Sequence, residues 1–208
     1  MTVFAGRSTV ARPADLMTPA DAPGAIPPPP LGVLIYDDAL NIDSLLVQCA
    51  QALAQLGFRL GGVVQSNPPR PGRRKCDMLL NDLSSGETTL ISSDQGDGAN
   101  GCRLDLSALS DAALGVEKAV AAGVDLVIIN KFGKQEAQGR GFRSAIAEAL
   151  VRDIPVVLAV SRLNLDACLE FAGGRFTQLE AEPVAIVDWC RQAVGRSQRD
   201  GGDRHAAV

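Results

Sequence analysis

Short apolar runs alternate with segments of helical periodicity along most of this chain, and this alternation constrains the fold more than any other feature. The run LGVLIY at 31–36 is a continuous apolar strand. Asn41 is then placed to cap a helix whose apolar residues recur at helical spacing until Gly57. The runs RLGGVVQSN, VDLVIIN (124–130) and IPVVLAV repeat the strand pattern. Alternation of this kind predicts an α/β fold, with helices on both faces of a mostly parallel, Rossmann-like sheet.

The remaining helices are predicted from the same periodicity and from their end signals. SALSDAALGVEKAVAAG reads as a helix with Ser110 as its cap and Gly123 as its stop. GFRSAIAEALVRD and residues 164–172 form two more helices. A short edge strand is expected near FTQLE, and Pro183 opens a last helix.

Residues 67–106 interrupt this rhythm. CDMLLNDL and TTLIS are extended segments joined by SSGE, whose glycine suits a hairpin turn, so we predict a small antiparallel insertion. The preceding PPRPGRRK is either a solvated surface loop or a mobile lid that meets an anion.

The two ends of the chain differ in composition from the middle. Residues 1–30 are rich in Ala and Pro, and residues 196–208 are polar and glycine-rich, so both are predicted to be disordered. The middle, 31–195, is long enough for one core and is predicted to be a single domain. The sole histidine, His205, lies in the tail, which leaves acid-base chemistry to carboxylates, lysines or cysteines.

Charge and hydropathy exclude two classes of partner. The net charge of -4 and pI of about 5.0 argue against a nucleic-acid-binding surface. No apolar run approaches the roughly 20 residues of a membrane span, and the amino terminus lacks the pattern of a signal peptide. We therefore expect a cytoplasmic protein without membrane insertion.

The five cysteines include no C-x-x-C pair that would indicate zinc or a redox dithiol. Cys49, Cys168 and Cys190 fall at helical core positions. Cys76 opens the hairpin, at CDMLL, and Cys102 opens the following strand, at CRLDL. Both are interpreted as buried structural thiols, with a redox or soft-metal role as the alternative.

Ligands of open parallel sheets bind beyond the carboxyl ends of the strands, so the loops that follow the strands carry the candidate site. An active P-loop reads G-x-x-x-x-G-K-[ST], in which backbone N–H groups and the lysine hold the phosphates. The first loop, YDDALNIDS, has neither the glycines nor the lysine. It offers Asp37 and Asp38 as metal-linked or turn residues, and Asn41 and Ser44 as hydrogen-bonding groups near a helix N-terminus.

The loop after VDLVIIN is the strongest local feature, because cations and glycines crowd it. Lys131, Lys134, Arg140 and Arg143 fall within it, and glycines permit close approach of the backbone to a ligand. The pattern suits an anion cradle, although glycines and charges are common in any β-α loop.

Several blocks in order resemble a bacterial, nucleoside-triphosphatase-like family of unknown function that is often encoded beside molybdenum-uptake and molybdoenzyme genes. These blocks are GVLIYDD, GGVVQSN, CDMLLNDLSSGE, GCRLDL, DLVIINKFGKQEAQGRGFRSAIAEAL and LEFAGG. The resemblance covers about 31–194 and implies a P-loop NTPase-like fold that handles molybdate or a related oxyanion.

A more distant resemblance is to the small THEP-type nucleoside triphosphatases, whose corresponding strand ends in a D-E-I-G-K-M-E-like sequence. Gly133, Lys134 and Glu136 match that pattern. Asn130 stands where the magnesium-orienting Asp would be, and Lys131 replaces the carboxylate that would position water. The resemblance therefore implies an NTPase-like scaffold with a degenerate site, in which binding an anion is favoured over hydrolysing a nucleotide.

The leading hypothesis is a protein of molybdenum metabolism that binds molybdate, tungstate or a nucleotide phosphate. The candidate ligand-binding residues are Tyr36, Asn41, Ser44, Gln65, Asn67, Asn130, Lys131, Gly133, Lys134, Arg140 and Arg143. One alternative is a magnesium-dependent nucleoside triphosphatase with Asp37, Asp38 or Glu136 in the catalytic role. The other is a non-catalytic assembly module that binds a molybdenum-pathway protein or a second copy of the chain.

Overall fold

The computed structural model describes residues 30–37, 39–69, 77–93 and 103–205, with 198–205 described only as helical backbone. The predicted arm at 1–30 lies, apart from Pro30, outside the described residues, as do Asp38, Cys76 and Cys102. The described strands are β1 (Leu31–Tyr36), β2 (Leu60–Ser66), β3 (Leu79–Asp82), β4 (Thr88–Leu90), β5 (Ser92–Ser93), β6 (Arg103–Leu104), β7 (Leu126–Phe132), β8 (Val156–Ser161) and β9 (Thr177–Gln178). The described helices are α1 (Ile42–Gln55), α2 (Leu106–Ala122), α3 (Lys134–Ala137), α4 (Arg143–Val151), α5 (Leu165–Phe171) and α6 (Pro183–His205).

Seven of the strands form one sheet in the order β4-β3-β2-β7-β8-β1-β9. The β2, β7, β8, β1 and β9 neighbours pair in parallel, whereas β3 pairs antiparallel with β2 and β4 pairs antiparallel with β3. The predicted mostly parallel sheet is confirmed. The predicted hairpin is also present, and it extends the edge of the main sheet, while β5 and β6 form a separate two-stranded ribbon.

Two apolar cores, one on each face of the sheet, give the three layers that the sequence predicted. Leu109 and Val116 of α2, Ile146 of α4 and Cys168 of α5 belong to the core on one face. The core on the other face contains residues of α1 and α6, such as Leu46, Leu53, Ile186 and Cys190. Central strands that are buried on both faces explain the continuous apolar runs of the sequence.

The crossover that leaves β1 runs across the sheet in the opposite direction from the later crossovers. The first crossover, through α1, carries the chain from β1 past β8 and β7 to β2, and the later units return in steps to β7, β8 and β9. Such a reversal leaves a crevice beyond the carboxyl ends of the strands on either side of it. The loops after β1, β2, β7 and β8 open into this region.

Two predicted boundaries are wrong. Strand β7 was expected to end at Asn130, but it continues to Phe132. The Phe132 ring is fully buried in the core, and the backbone of Phe132 pairs with that of Val160 after a register shift. Helix α2 begins at Leu106, because Asp105 accepts hydrogen bonds from the N–H groups of Ser107 and Ala108. The predicted cap, Ser110, lies inside the helix and donates to the carbonyl of Leu106.

The disordered tail predicted from residue 196 is replaced, as far as His205, by a continuation of α6. Adding a residue to an existing helix costs far less than starting one, so the polar segment extends the turns that Ile186 and Cys190 anchor in the core.

The cysteine prediction for the helices is confirmed. Cys49, Cys168 and Cys190 are free thiols with no exposed surface. Burial raises the pKa of Cys49 and Cys168 to about 11 and that of Cys190 to about 12. Thiols that hold their protons so strongly are unreactive packing groups.

None of the described helices combines the length and the apolar character needed to cross a membrane.

Candidate functional site

The first strand-loop-helix can be aligned with the P-loop motif, and the alignment exposes a reversed charge. Strand β1 ends at Tyr36 and α1 begins at Ile42, so Asp37–Ser44 spans the eight positions of G-x-x-x-x-G-K-[ST]. Ser44 then falls at the hydroxyl position, and Asp43 falls at the position of the phosphate-binding lysine. A carboxylate therefore stands where the motif requires a cation.

Asp43 is the centre of a hydrogen-bond network that joins three strand-end segments. Its Oδ1 accepts from Asn130 Nδ2 at 3.0 Å and from Lys131 Nζ at 3.2 Å, both in β7. Its Oδ2 accepts from Asn67 Nδ2 at 2.5 Å, and Asn67 Oδ1 accepts in turn from Gln65 Nε2 at 2.8 Å. Asp43 thereby ties the first turn of α1 to the ends of β2 and β7.

The Asp43–Lys131 ion pair is partly buried, with 17% of the Asp43 side chain and 27% of the Lys131 side chain exposed. Lys131 Nζ also lies 5.5 Å from the centre of the Tyr36 ring, within the range of a cation-π contact. The THEP-type pattern places a carboxylate at the position of Lys131. In this chain Asp43 stands at the lysine position of the P-loop, and Lys131 stands at the carboxylate position of the THEP-type strand. The positive and the negative charge have therefore exchanged positions.

Asn130 is one of two buried polar residues of the described chain, and only half of its amide is satisfied. The residue is 1% exposed, and its Nδ2 group donates to Asp43. Its Oδ1 atom is sealed from solvent and has no hydrogen-bond partner among the described residues. An unpaired buried acceptor is costly, and such atoms are concentrated at functional positions.

Glu136, the other buried polar residue, holds the loop that follows β7. Its Oε2 accepts from the N–H group of Gly133 at 2.9 Å, and its Oε1 accepts from the N–H group of Phe142 at 3.0 Å. Both carboxylate oxygens thus fix the backbone at the two ends of the loop. These contacts give Glu136 a positioning role. Because both of its oxygens already accept backbone hydrogen bonds, they are engaged in a way that a catalytic carboxylate would not be.

The other cations of this loop differ in how they are engaged. Arg143 donates to the Glu136 carbonyl at 3.2 Å and stacks 4.7 Å from the centre of the Phe171 ring. Arg140 is exposed and donates to the Gln138 side chain. Lys134 is exposed and has neither an ion pair nor a side-chain hydrogen bond among the described residues.

A cavity of about 460 Å³, here called the strand-end cavity, opens beside the ends of β2 and β7. Its polar side is formed by Gln65, Asn130, Lys131, Gly133, Lys134, Gln135 and Glu136. Its apolar side is formed by Leu80, Ile91, Leu104, Leu106, Leu109 and Phe142. The cavity lies on the face of the sheet that α2 and α4 cover, because four of these apolar residues belong to the core of that face.

The structure places one part of the predicted site around the strand-end cavity and the rest outside its lining. Five of the predicted ligand-binding residues line the strand-end cavity together with Glu136: Gln65, Asn130, Lys131, Gly133 and Lys134. The other predicted ligand-binding residues, Tyr36, Asn41, Ser44, Asn67, Arg140 and Arg143, do not line it.

The residues of the first loop have local roles. Asn41 caps α1 by accepting from the N–H group of Ser44, and Asp37 accepts from the N–H group of Ala39 in a turn. The catalytic candidate Asp38 lies outside the described residues.

Sequence reasoning missed Asp43 and the apolar side of the strand-end cavity. The signal for Asp43 was present, since its place before Ser44 is the lysine position of the motif. The sequence carried no such signal for the apolar side, because the antiparallel hairpin, the ribbon and the helices bring together residues that are far apart in sequence.

The described residues contain no group of three or more His, Cys, Asp or Glu side chains placed to hold a metal ion. The metal or redox role considered for Cys76 and Cys102 falls on residues outside the described part of the chain.

Residues 31–189 match the model of a protein family described as a protein of unknown function, DUF2478. The chain belongs to the DUF2478 family. The matched range includes every described element from β1 to the first turns of α6, and it therefore includes the Asp43 network and the strand-end cavity.

Two curated proteins resemble this DUF2478 chain in sequence. The molybdenum import ATP-binding protein ModC 2 of Bradyrhizobium diazoefficiens is 38% identical over 183 residues, which are 88% of this chain and 20% of that protein. The nucleoside-triphosphatase THEP1 of Methanosarcina acetivorans is 30% identical over 119 residues, which are 55% of this chain and 66% of that protein. The chain thus spans about a fifth of the first relative and just under two thirds of the second.

A structural comparison matches the solution structure of a human cancer-related nucleoside triphosphatase, with a TM-score of 0.44 and 18% sequence identity. The match covers 77% of this chain and 82% of the human protein.

Proposed function

We propose that the strand-end cavity binds the anionic group of a small ligand, either an oxyanion such as molybdate or tungstate or the phosphate of a nucleotide. The observation that carries this proposal is Lys134, an exposed cation without a described ion pair at the rim of a cavity beside Asn130 and Lys131. A charged donor of this kind makes stronger hydrogen bonds to an anion than a neutral donor does.

Lys131 is the second cation of the proposed site. One of its three N–H donors is directed to Asp43, which leaves the others available to a ligand. Lys134 supplies the uncompensated charge, and Lys131 adds donors whose charge Asp43 largely balances.

The names of the two sequence relatives support this class of ligand. One is a molybdenum import ATP-binding protein and the other is a nucleoside triphosphatase. We accordingly propose a role in the cytoplasmic handling of molybdenum, with molybdate and nucleotides as the first compounds to test.

Binding without hydrolysis fits the residues better than catalysis does. Phosphoryl transfer depends on a lysine on the phosphates and on carboxylates that orient Mg²⁺ and water. Asp43 occupies the lysine position, and Lys131 Nζ lies 3.2 Å from Asp43 Oδ1. A magnesium ion on that carboxylate would face an ammonium group, so these residues do not fit the metal.

A thermal-shift experiment on the full chain tests the proposal. Molybdate, tungstate, inorganic phosphate and nucleotides are compared, because a ligand that binds only the folded protein raises its melting temperature by mass action. We expect at least one of these anions to raise the melting temperature and Lys134→Ala to abolish the rise.

Lys118→Ala is the matched control, since Lys118 is an exposed lysine on α2 that does not line the cavity. It removes the same charge and should leave the shift intact. If no anion of the panel shifts the melting temperature, the proposed binding function is wrong. Phosphate release from ATP or GTP that depends on magnesium would instead support the nucleoside triphosphatase alternative.

A further inference from the structure

Resting on the proposed function, we infer that the strand-end cavity selects an organic phosphomonoester with a ring-containing body, the class to which nucleoside monophosphates belong. It disfavours both a bare oxyanion and a nucleoside triphosphate. Three features carry this inference: the charge balance of the polar side, the extent of the apolar side and the carboxylate behind Lys131.

Among the residues that the structure describes, the charges around the cavity cancel. Lys131 and Lys134 contribute two positive charges, while Glu136 lines the same cavity and Asp43 is paired with Lys131. Among the described lining residues, Lys134 is the cation whose charge nothing offsets directly. A phosphomonoester carries about two negative charges at neutral pH, of which Lys134 offsets one. A triphosphate chain adds further negative charge and would be balanced less well.

Asp43 opposes a longer phosphate chain in a specific direction. In a working P-loop, the lysine at this position reaches the β- and γ-phosphates. Here the same position holds a carboxylate, whose Oδ1 and Oδ2 already accept from Asn130, Lys131 and Asn67. Phosphate groups that extended from the cavity towards the first loop would meet this negative charge.

The apolar side of the cavity does not favour binding of a bare oxyanion. Six apolar side chains form it, and a hydrated tetrahedral ion gains nothing from contact with them. The volume of about 460 Å³ falls in the range of pockets that enclose organic ligands, roughly 300–1,000 Å³. Leu106 is 50% exposed, whereas Leu109 and Phe142 behind it are buried. A ring system against Leu106 would bury apolar surface that the free protein leaves open.

Isothermal titration of the full chain distinguishes these ligand classes. The probes are adenosine and guanosine 5′-monophosphate, the two matching triphosphates, inorganic phosphate, molybdate and the two nucleosides. We expect a monophosphate to bind on the order of tenfold more tightly than inorganic phosphate, because its ring buries apolar surface. It should also bind more tightly than its triphosphate.

A matched pair of leucines tests the role of the apolar side. Leu106 lines the cavity and is 50% exposed, whereas Leu114, on the same helix, is 52% exposed and does not line it. Leu106→Asn should weaken binding of the monophosphate severalfold and weaken binding of inorganic phosphate much less. Leu114→Asn should change neither affinity.

The outcomes separate this inference from the proposed function. If inorganic phosphate or molybdate binds in a Lys134-dependent manner and neither monophosphate binds better, the inference fails and the proposed function stands. Tighter binding of a triphosphate than of its monophosphate also overturns the inference. If no anion in the panel binds, both fail together.

Discussion

Asp43 illustrates how one side chain can decide the chemistry of a whole strand-end region. It replaces the cation of the P-loop pattern, and it accepts hydrogen bonds from Asn67, Asn130 and Lys131. The positive charge of Lys131, near the end of β7, is therefore largely balanced by a carboxylate of the protein itself.

Removal of the Asp43 charge should strengthen anion binding. Asp43→Asn keeps an acceptor for Lys131 and removes the negative charge, so the affinity for inorganic phosphate should rise on the order of tenfold. Calorimetric titration measures the change. Asp111→Asn, on the exposed face of α2, is the control and should have little effect.

A second substitution identifies the source of that gain. In the Asp43→Asn background, Lys131→Met should cancel the increase, because the released charge is that of Lys131. An unchanged affinity in the Asp43→Asn variant would show that this carboxylate does not influence the ligand.

Gly141 is required by the Glu136 carboxylate that holds the loop. Its φ is +59°, and a Cβ atom there would lie 2.0 Å from Glu136 Oε1. Gly141→Ala should therefore destabilise the protein by about 3 kcal/mol or more, through backbone strain and displacement of the carboxylate.

Gly139→Ala provides the comparison within the same loop. Gly139 has a φ of +79°, but a Cβ atom there would meet nothing within 4 Å. This variant should lose only the smaller cost of backbone strain, about 1 kcal/mol. Urea unfolding of both variants checks the difference, and equal losses would contradict the role given to Glu136.

At the scale of secondary structure elements, the sequence located most of the helices and strands. Strand β1 was predicted at the residues where it occurs, and the Asn41 cap of α1 is confirmed. These features depend on neighbouring residues, so local patterns suffice to find them. The end of β7 depends on the burial of Phe132 against distant strands, and no local pattern reports that contact.

The beginnings of β2 and β7 are joined by a pair that gives the stability a defined pH dependence. Arg59 Nη2 lies 2.6 Å from Asp125 Oδ1, and the N–H group of Arg59 donates to Asp125 Oδ2. The side-chain hydrogen bond from Arg59, helped by the backbone bond and by the charge, lowers the pKa of Asp125 despite its partial burial.

Because the folded pKa of Asp125 is depressed, its contribution is present above the ordinary aspartate pKa of about 3.9 and is lost as the pH falls through the folded value. Arg59→Met should therefore lower the free energy of unfolding at pH 7, and the difference from the parent should narrow below about pH 4. Arg152→Met is the control, since its pair with Glu148 is about half exposed and should contribute little at either pH. A deficit that stayed constant from pH 7 to pH 3 would exclude this linkage.

At the scale of the whole molecule, the strand-end cavity combines elements that lie far apart in the chain. Its polar side comes from the ends of β2 and β7 and from Gly133 and α3. Its apolar side comes from the hairpin, the ribbon, Ile91 between them, α2 and the residue before α4. The sequence predicted the polar side, because loops after parallel strands meet at one edge of the sheet. It could not predict the apolar side, since the position of the hairpin against the sheet follows from tertiary pairing.

Hydrogen exchange measured across the molecule should locate the ligand. At saturating inorganic phosphate, amide exchange should slow in residues 104–109 and 130–136, which border the cavity. Exchange at the start of α1, Ile42–Leu46, should remain unchanged, with the core segment of α6 as an internal reference. Protection confined to the start of α1 would place the anion at the P-loop position and contradict the proposed site.

The exchange of charge between Asp43 and Lys131 also constrains how this sequence can diverge. A single change of Asp43 to lysine would set two ammonium groups face to face, and a single change of Lys131 to aspartate would set two carboxylates face to face. Either intermediate would be penalised, so the two positions are expected to covary, with relatives carrying one complete arrangement or the other. A sequence with a phosphate-binding lysine at position 43 and a sequence with aspartate there are therefore not expected to interconvert by one substitution at a time.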